Sequence, residues 1–148
     1  MEKTLQVILG PTGVGKTAYA LRQAERLGCP ILNADSRQLY RQLPIGTAAP
    51  TAEEQARVRH YFVGTLDLEQ TYSAAQYEAD ALALLDDLFR DHDTVVLSGG
   101  SFQNMYIMAR LPGVLREKGF RVWTHGRVSC NDEGLSLGQL MIALHAGC

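Results

Sequence analysis

Gly10-Pro11-Thr12-Gly13-Val14-Gly15-Lys16-Thr17 is the stretch that decides the fold. Its spacing is G-x-x-x-x-G-K-[ST], the pattern of a loop whose backbone amides turn inward to face a phosphate. That loop works only between a strand and a helix, and both flanks agree. Leu5 to Leu9 is a short apolar run ended by Gly10-Pro11, the mark of a buried strand. Lys16 to Leu27 carries Ala18, Ala20, Leu21, Ala24 and Leu27 on one face of a helix. The helix adds its N-terminal dipole to the phosphate site. Lys16 can reach a terminal phosphate as a mobile point charge, and the Thr17 hydroxyl can hold Mg²⁺.

Working outward, Gly28 and Pro30 end the helix, and Ile31 to Ala34 reads as a second short strand. Pro44 to Pro50 is a loop. Thr51-x-x-Glu54 and Ser73-x-x-Gln76 are capping boxes. The first opens a short helix. The second opens the longest, Ala74 to Asp91, with Ala75, Ala79, Leu82, Leu85 and Phe89 on its apolar stripe. Tyr61-Phe62-Val63 and Thr94 to Leu97 are further strands, the latter closed by Ser98-Gly99-Gly100-Ser101. Strands separated by helices predict a parallel α/β sheet flanked by helices, with right-handed crossovers.

Composition sets the outer limits. The chain has 148 residues, 46% hydrophobic and 20% charged, with a formal net charge of −2. That balance excludes a disordered chain, a collagen and a coiled coil, and argues against a strongly basic nucleic-acid module. No run of 18 apolar residues occurs, so no membrane span is predicted. Cys29, Cys130 and Cys148 form no CxxC pair, and a reducing, cytoplasmic setting is expected. His125-x4-Cys130 with His145-x2-Cys148 matches no zinc spacing. His60, His92, His125 and His145 read as packed or solvated, and Trp123 as partial core. The character changes after about Phe102. Residues 1–102 carry 9 Lys/Arg against 13 Asp/Glu, whereas residues 103–148 carry 5 against 3 and hold six glycines. Leu135 to His145 can form one more helix.

The residues opposite the phosphate loop choose the reaction. A nucleotide hydrolase needs an acid at the end of a second apolar strand, to support Mg²⁺ and water. Thr94 to Leu97 ends instead in Ser98-Gly99-Gly100. The carboxylate on offer is Asp35, at the carboxyl end of the second strand, where open α/β sheets bind ligands. Asp35 can act as general base, or cap a short helix from Ser36, or both. Ser36, Arg37, Gln38 and Tyr40 follow; Arg and Gln can read base edges, and Tyr can stack on a base. Equally, they suit a solvated helix face. Ser98 to Ser101 is either a substrate-contacting turn or a tight turn.

GPTGVGKT, NADSRQLYRQLPIGTAAPT, Tyr72-Ser73-Ala74-Ala75 and VVLSGGS together resemble the tRNA dimethylallyltransferases. The block from Asp35 to Pro50 is the specific part, and the resemblance runs over about residues 4 to 101. It implies a P-loop α/β fold and a transferase. A dimethylallyl group would pass from its diphosphate to the exocyclic amine of the adenosine next to the anticodon in tRNA. It implies that the loop Gly10 to Thr17, which looks like an ATP site, holds the prenyl diphosphate with Mg²⁺ on Thr17. It implies Asp35, Lys16 and Ser101 as catalytic residues, and Asp35, Ser36, Arg37, Gln38 and Ser101 as tRNA contacts.

The resemblance has edges. Phe102-Gln103-Asn104 precede Met105-Tyr106 with about two extra residues, and no similarity is visible beyond about Thr124. Family members are longer, so the fold is expected to be incomplete. The expected division is a prenyltransferase core over 1–110 and a divergent tail over 111–148, from a truncated or frame-shifted product, monomeric and weak or inactive alone. Two rivals stay open: a P-loop small-molecule kinase using ATP, and a non-catalytic nucleotide- or RNA-binding fragment.

Overall fold

The computed structural model describes residues 3–10, 13–100, 105–117, 119, 121–122, 139–141 and 143–144. Its elements in chain order are β1 (Thr4–Ile8), α1 (Lys16–Leu27), β2 (Ile31–Asn33), α2 (Ala52–Arg57), β3 (His60–Tyr61), α3 (Ala74–Asp91), β4 (Thr94–Ser98) and α4 (Met105–Glu117). The four strands form one parallel sheet in the order β1-β4-β2-β3. β4, late in sequence, therefore lies between β1 and β2. Ile8, Ser98 and Asn33 stand in register, so three strands end on one line.

The pleat sorts the core into two layers. Val96 and Ile31 face α1 and pack with Ile8, Ala20, Leu21, Ala24, Cys29 and Val58. Val95 and Leu32 face the other way, onto Ala81 and Leu88 of α3. Helices thus cover both faces, as a parallel sheet requires. Among the described residues no helix is long and apolar enough to cross a membrane. Cys29 is a free, buried thiol whose pKa is raised by that burial.

Both capping boxes form. Thr51 accepts from the Glu54 amide while the Glu54 carboxylate accepts from the Thr51 amide, and Ser73 and Gln76 do the same for α3. α1 closes on Gly28 as expected. α4 runs across the expected division between residues 110 and 111. The described residues of the expected last helix, 139–141 and 143–144, are helical. Trp123, His125, Cys130 and Cys148 lie outside the described residues.

Three expectations need correction. The stripe of α3 is rotated: Tyr77, Ala81, Leu84, Leu85, Leu88 and Phe89 pack inward, while Ala75, Ala79 and Leu82 are exposed. The helix has Ala and Leu on several faces, and Tyr77 selects the buried one by donating from its hydroxyl to the Asn33 carbonyl at 2.9 Å. β3 is His60–Tyr61, not Tyr61–Val63, because Phe62 turns to φ 61°. The Phe62 carbonyl accepts from the Asn33 side-chain Nδ2 at 3.0 Å, and its ring packs on Tyr77. Finally, Ser36 to Leu39 is a turn rather than a helix. The Asp35 carboxylate accepts from the Arg37 amide at 3.0 Å, a local bond that competes with helix formation. Leu39 and Gly64 then tie the segment down through the Leu66 amide to the Leu39 carbonyl and the Gly64 amide to the Gln38 carbonyl.

Tyr77 therefore has a measurable role. Its phenol is pushed up in pKa by burial and by the neighbouring Tyr72, so it stays a donor throughout the accessible pH range. Tyr77→Phe leaves the Asn33 carbonyl without that donor and is expected to lower stability by about 1 kcal/mol in urea denaturation.

Candidate active site

One cavity of about 590 Å³ lies along the carboxyl edge of the sheet and down the α1 face of β2. Gly13, Gly15, Lys16 and Thr17 form one wall, Asp35 to Gln38 another, Ser98 to Gly100 the ridge between them, and Thr47, Ala48 and Pro50 the rim. The volume suits a small organic ligand.

The phosphate wall follows from Gly15. It caps α1 at φ 91°, a left-handed conformation that glycine enters without penalty, and it supplies no side-chain cap. The first-turn amides of α1 therefore face the cavity side without a capping side chain, and no acidic residue sits in that turn. The stem of Lys16 lies over Gly10. Pro11 and Thr12, also expected in this loop, lie outside the described residues, as does Ser101. Val14 is exposed at the loop tip.

Asp35 lines the same cavity beside the end of β4. Its side chain is 13% exposed. A Cβ at Gly99 would come within 2.6 Å of the Ala34 carbonyl oxygen and 2.7 Å of the Asp35 nitrogen, and nearer still to the Ala34 carbonyl carbon. A Cβ at Gly100 would come within 2.9 Å of the Asp35 carboxylate. The Gly99-Gly100 pair is thus the gap beside which the end of β2 places its carboxylate. Asn33 supports the same corner: its amide donates to the Asp35 carbonyl at 3.4 Å as well as to Phe62.

The residues after Asp35 divide. Ser36 and Arg37 are exposed at the mouth, and the Arg37 guanidinium is 4.0 Å from the Asp35 carboxylate. The Gln38 amide nitrogen donates to the Thr47 and Ala48 carbonyls at 2.9 and 3.3 Å. It holds the rim, including Ala48 at the strained φ of 51°. The Tyr40 hydroxyl lies 3.5 Å from the Gln70 carbonyl. Glu54 and His60 also line the cavity, although neither was expected there. A glutamate in a capping box and a histidine opening a strand carry no local mark of a site.

His60 is buried, and its Nδ1 bonds the Val58 carbonyl at 2.8 Å. Burial lowers its pKa from the ordinary value of 6.5, against smaller upward effects of the Val58 bond and Glu54. The unfolded chain accepts a proton near that ordinary value and the folded chain resists it. Stability contributed here is full above about pH 6.5 and declines as pH falls through it. The wild-type urea midpoint is expected to drop more between pH 7 and pH 5.5 than that of His60→Gln.

Comparison with known proteins places the chain in a family. A family model described as IPP transferase matches residues 38–134, about two-thirds of the chain. The chain belongs to the IPP transferase family. The match begins after the phosphate loop and runs past Thr124, where the similarity was expected to end. The chain is 60% identical over 114 residues to tRNA dimethylallyltransferase 1 of Phocaeicola vulgatus, covering 77% of this chain and 37% of that one. It is 56% identical over 111 residues to tRNA dimethylallyltransferase 2 of Parabacteroides distasonis, covering 75% and 36%. The crystal structure of the full-length tRNA isopentenylpyrophosphate transferase from Bacillus halodurans superposes with a TM-score of 0.65 at 29% identity, over 97% of this chain and 43% of that one. The fold is the family's P-loop α/β fold, and the chain spans little more than a third of the length of the curated relatives it matches.

Proposed function

We propose that this chain carries the reaction site of a tRNA dimethylallyltransferase. One observation carries the proposal: a single cavity joins a phosphate loop to a carboxylate, across a glycine gap, with no second acid at the end of β4. The first-turn amides of α1 and Lys16 hold the diphosphate of the prenyl donor and stabilise the charge that grows on it as it leaves. The exocyclic amine of the adenosine attacks the allylic carbon. A C–N bond forms, the C–O bond to diphosphate breaks, and the diphosphate leaves with the electron pair. Asp35 takes the proton from the amine. The amine is a poor nucleophile, so alignment in the cavity does more than basicity. The adenosine must leave its stack to enter.

Mg²⁺ fits this donor set. The described residues hold no cluster of three His, Cys, Asp or Glu, whereas Thr17 offers a hydroxyl beside Lys16, and Mg²⁺ is commonly held by one or two protein oxygens and substrate phosphates. Bound there by Thr17, it would neutralise charge on the diphosphate. Ser36 and Arg37 suit contact with tRNA at the mouth, Gln38 shapes the rim beside them, and Ser101 follows the Gly99-Gly100 pair in sequence. The core over 1–110, a cytoplasmic setting and a monomeric state complete the proposal.

Calorimetric titration tests it. Dimethylallyl diphosphate should bind the chain in the presence of Mg²⁺, and Lys16→Ala should weaken binding about 10- to 100-fold, the range for a hydrogen bond to a charged group. ATP displacing the prenyl donor at low concentration would favour a kinase instead. Binding without transfer of label to a tRNA anticodon stem-loop would favour a non-catalytic role.

A further inference from the structure

Asn33 closes β2, just ahead of the carboxylate proposed as the base. Toward β4 the ladder continues past it. Asn33 stands in register with Ser98, and the Ala34 amide donates to the Ser98 carbonyl at 2.8 Å. Toward β3 the ladder stops. Ile31 and Leu32 pair with His60 and Tyr61, but the next residue of that strand, Phe62, has turned to φ 61°. A left-handed backbone is unfavourable for a bulky residue and persists only where its surroundings hold it.

The buried Asn33 side chain provides that hold. Its amide nitrogen carries two N–H donors, and two carbonyls meet it, Phe62 at 3.0 Å and Asp35 at 3.4 Å. Both partners only accept, so the nitrogen of the amide, and not its oxygen, must face them. The side chain thus stands in for the missing rung to β3 and grips the backbone of Asp35 with the same group. The Asn33 carbonyl accepts from the Tyr77 hydroxyl at 2.9 Å, which ties the residue to α3 as well. β4, the turn after β3 and α3 therefore converge on one residue, and the chain leaves from it toward Asp35. Beyond it, the Asp35 carboxylate is joined to the Arg37 amide at 3.0 Å.

We infer that Asn33 is a positioning residue for Asp35: its side-chain amide, bridging the Phe62 and Asp35 carbonyls, sets where the base stands. It acts through Asp35 and not on the substrate. The inference rests on the prenyl-transfer reading for what Asp35 does, and on the bonds alone for where Asp35 sits.

Amide hydrogen exchange of the full chain, followed by NMR, tests the placement. The Arg37 amide, bonded to the Asp35 carboxylate, is the reporter. The Glu54 amide, bonded to the Thr51 hydroxyl in the α2 capping box, is the reference for general loosening. Asn33→Ala should speed exchange at Arg37 about tenfold more than at Glu54, the scale of one hydrogen bond. Asn33→Ser keeps one hydrogen for two carbonyls and should fall between; it serves as the probe if the Ala variant does not fold. Equal acceleration at both amides in a folded variant overturns the inference.

Single-turnover transfer to an anticodon stem-loop tests the consequence. Asn33→Ala should slow transfer about tenfold while dimethylallyl diphosphate affinity stays within about twofold. When Asp35→Asn is already present, adding Asn33→Ala should change the rate by less than about twofold, because residues that act as a unit are not additive. An equal loss in both backgrounds would show general structural damage and overturn the inference. Transfer absent from the wild type would overturn the prenyl-transfer reading instead, and the exchange ratio would still decide the placement.

Discussion

Asp35→Asn should slow prenyl transfer by about 10²- to 10⁴-fold, the usual contribution of a general base. The variant is chosen because the structure gives Asp35 two tasks. Its carboxylate accepts from the Arg37 amide, and it lines the cavity beside Gly100. An asparagine oxygen can keep the first bond but cannot take a proton. If that turn bond were the whole role, Asp35→Asn would be nearly silent and Asp35→Ala harmful. If Asp35 is the base, both variants fail in transfer while dimethylallyl diphosphate still binds. Single-turnover transfer of labelled prenyl group, with calorimetry of donor binding, distinguishes the two.

Gly99→Ala should lower stability by about 3 kcal/mol, at the upper end of ordinary overpacking. For a chain of this size that is roughly 6–12 °C in melting temperature. The reason is what the new methyl would meet. At Gly99 it meets the backbone of Ala34 and Asp35, which cannot rotate away. At Gly100 it meets only the Asp35 carboxylate, a side chain that can swing aside. Gly100→Ala should therefore leave the melting temperature within a few degrees and still impair transfer, by displacing the base. Equal thermal effects of the two variants would show that the gap does not act as described.

The parts of this molecule that were legible in its sequence are those set by neighbours in the chain. The Thr51–Glu54 and Ser73–Gln76 boxes and the Gly28 cap are local devices, and their residues act where their spacing puts them. Asp35 was legible too, because the carboxyl end of a parallel strand is a place and not merely a residue type. Long-range contacts hid the rest. The turn at Phe62 depends on Asn33 and Tyr77, distant in sequence. Which face α3 buries depends on where the Tyr77 hydroxyl finds a carbonyl. The bonds from Gln38 to the Thr47 and Ala48 carbonyls likewise join positions that no local pattern pairs. His60 and Glu54 join the cavity only because β3 pairs with β2, which no pattern near either residue announces.

The position of β4 also governs how the molecule can be born. Synthesis delivers β1, α1 and β2 long before residues 94–98, yet β4 is the strand that joins β1 to β2. Until it leaves the ribosome, the Thr4–Ile8 segment has no strand partner among the described elements, and its apolar side chains wait beside an open edge. The phosphate wall and the carboxylate wall are likewise strangers until that strand slides between them. Closure over some ninety residues is slow by the usual dependence of rate on contact separation. The nascent chain is thus exposed to wrong pairings until that strand emerges.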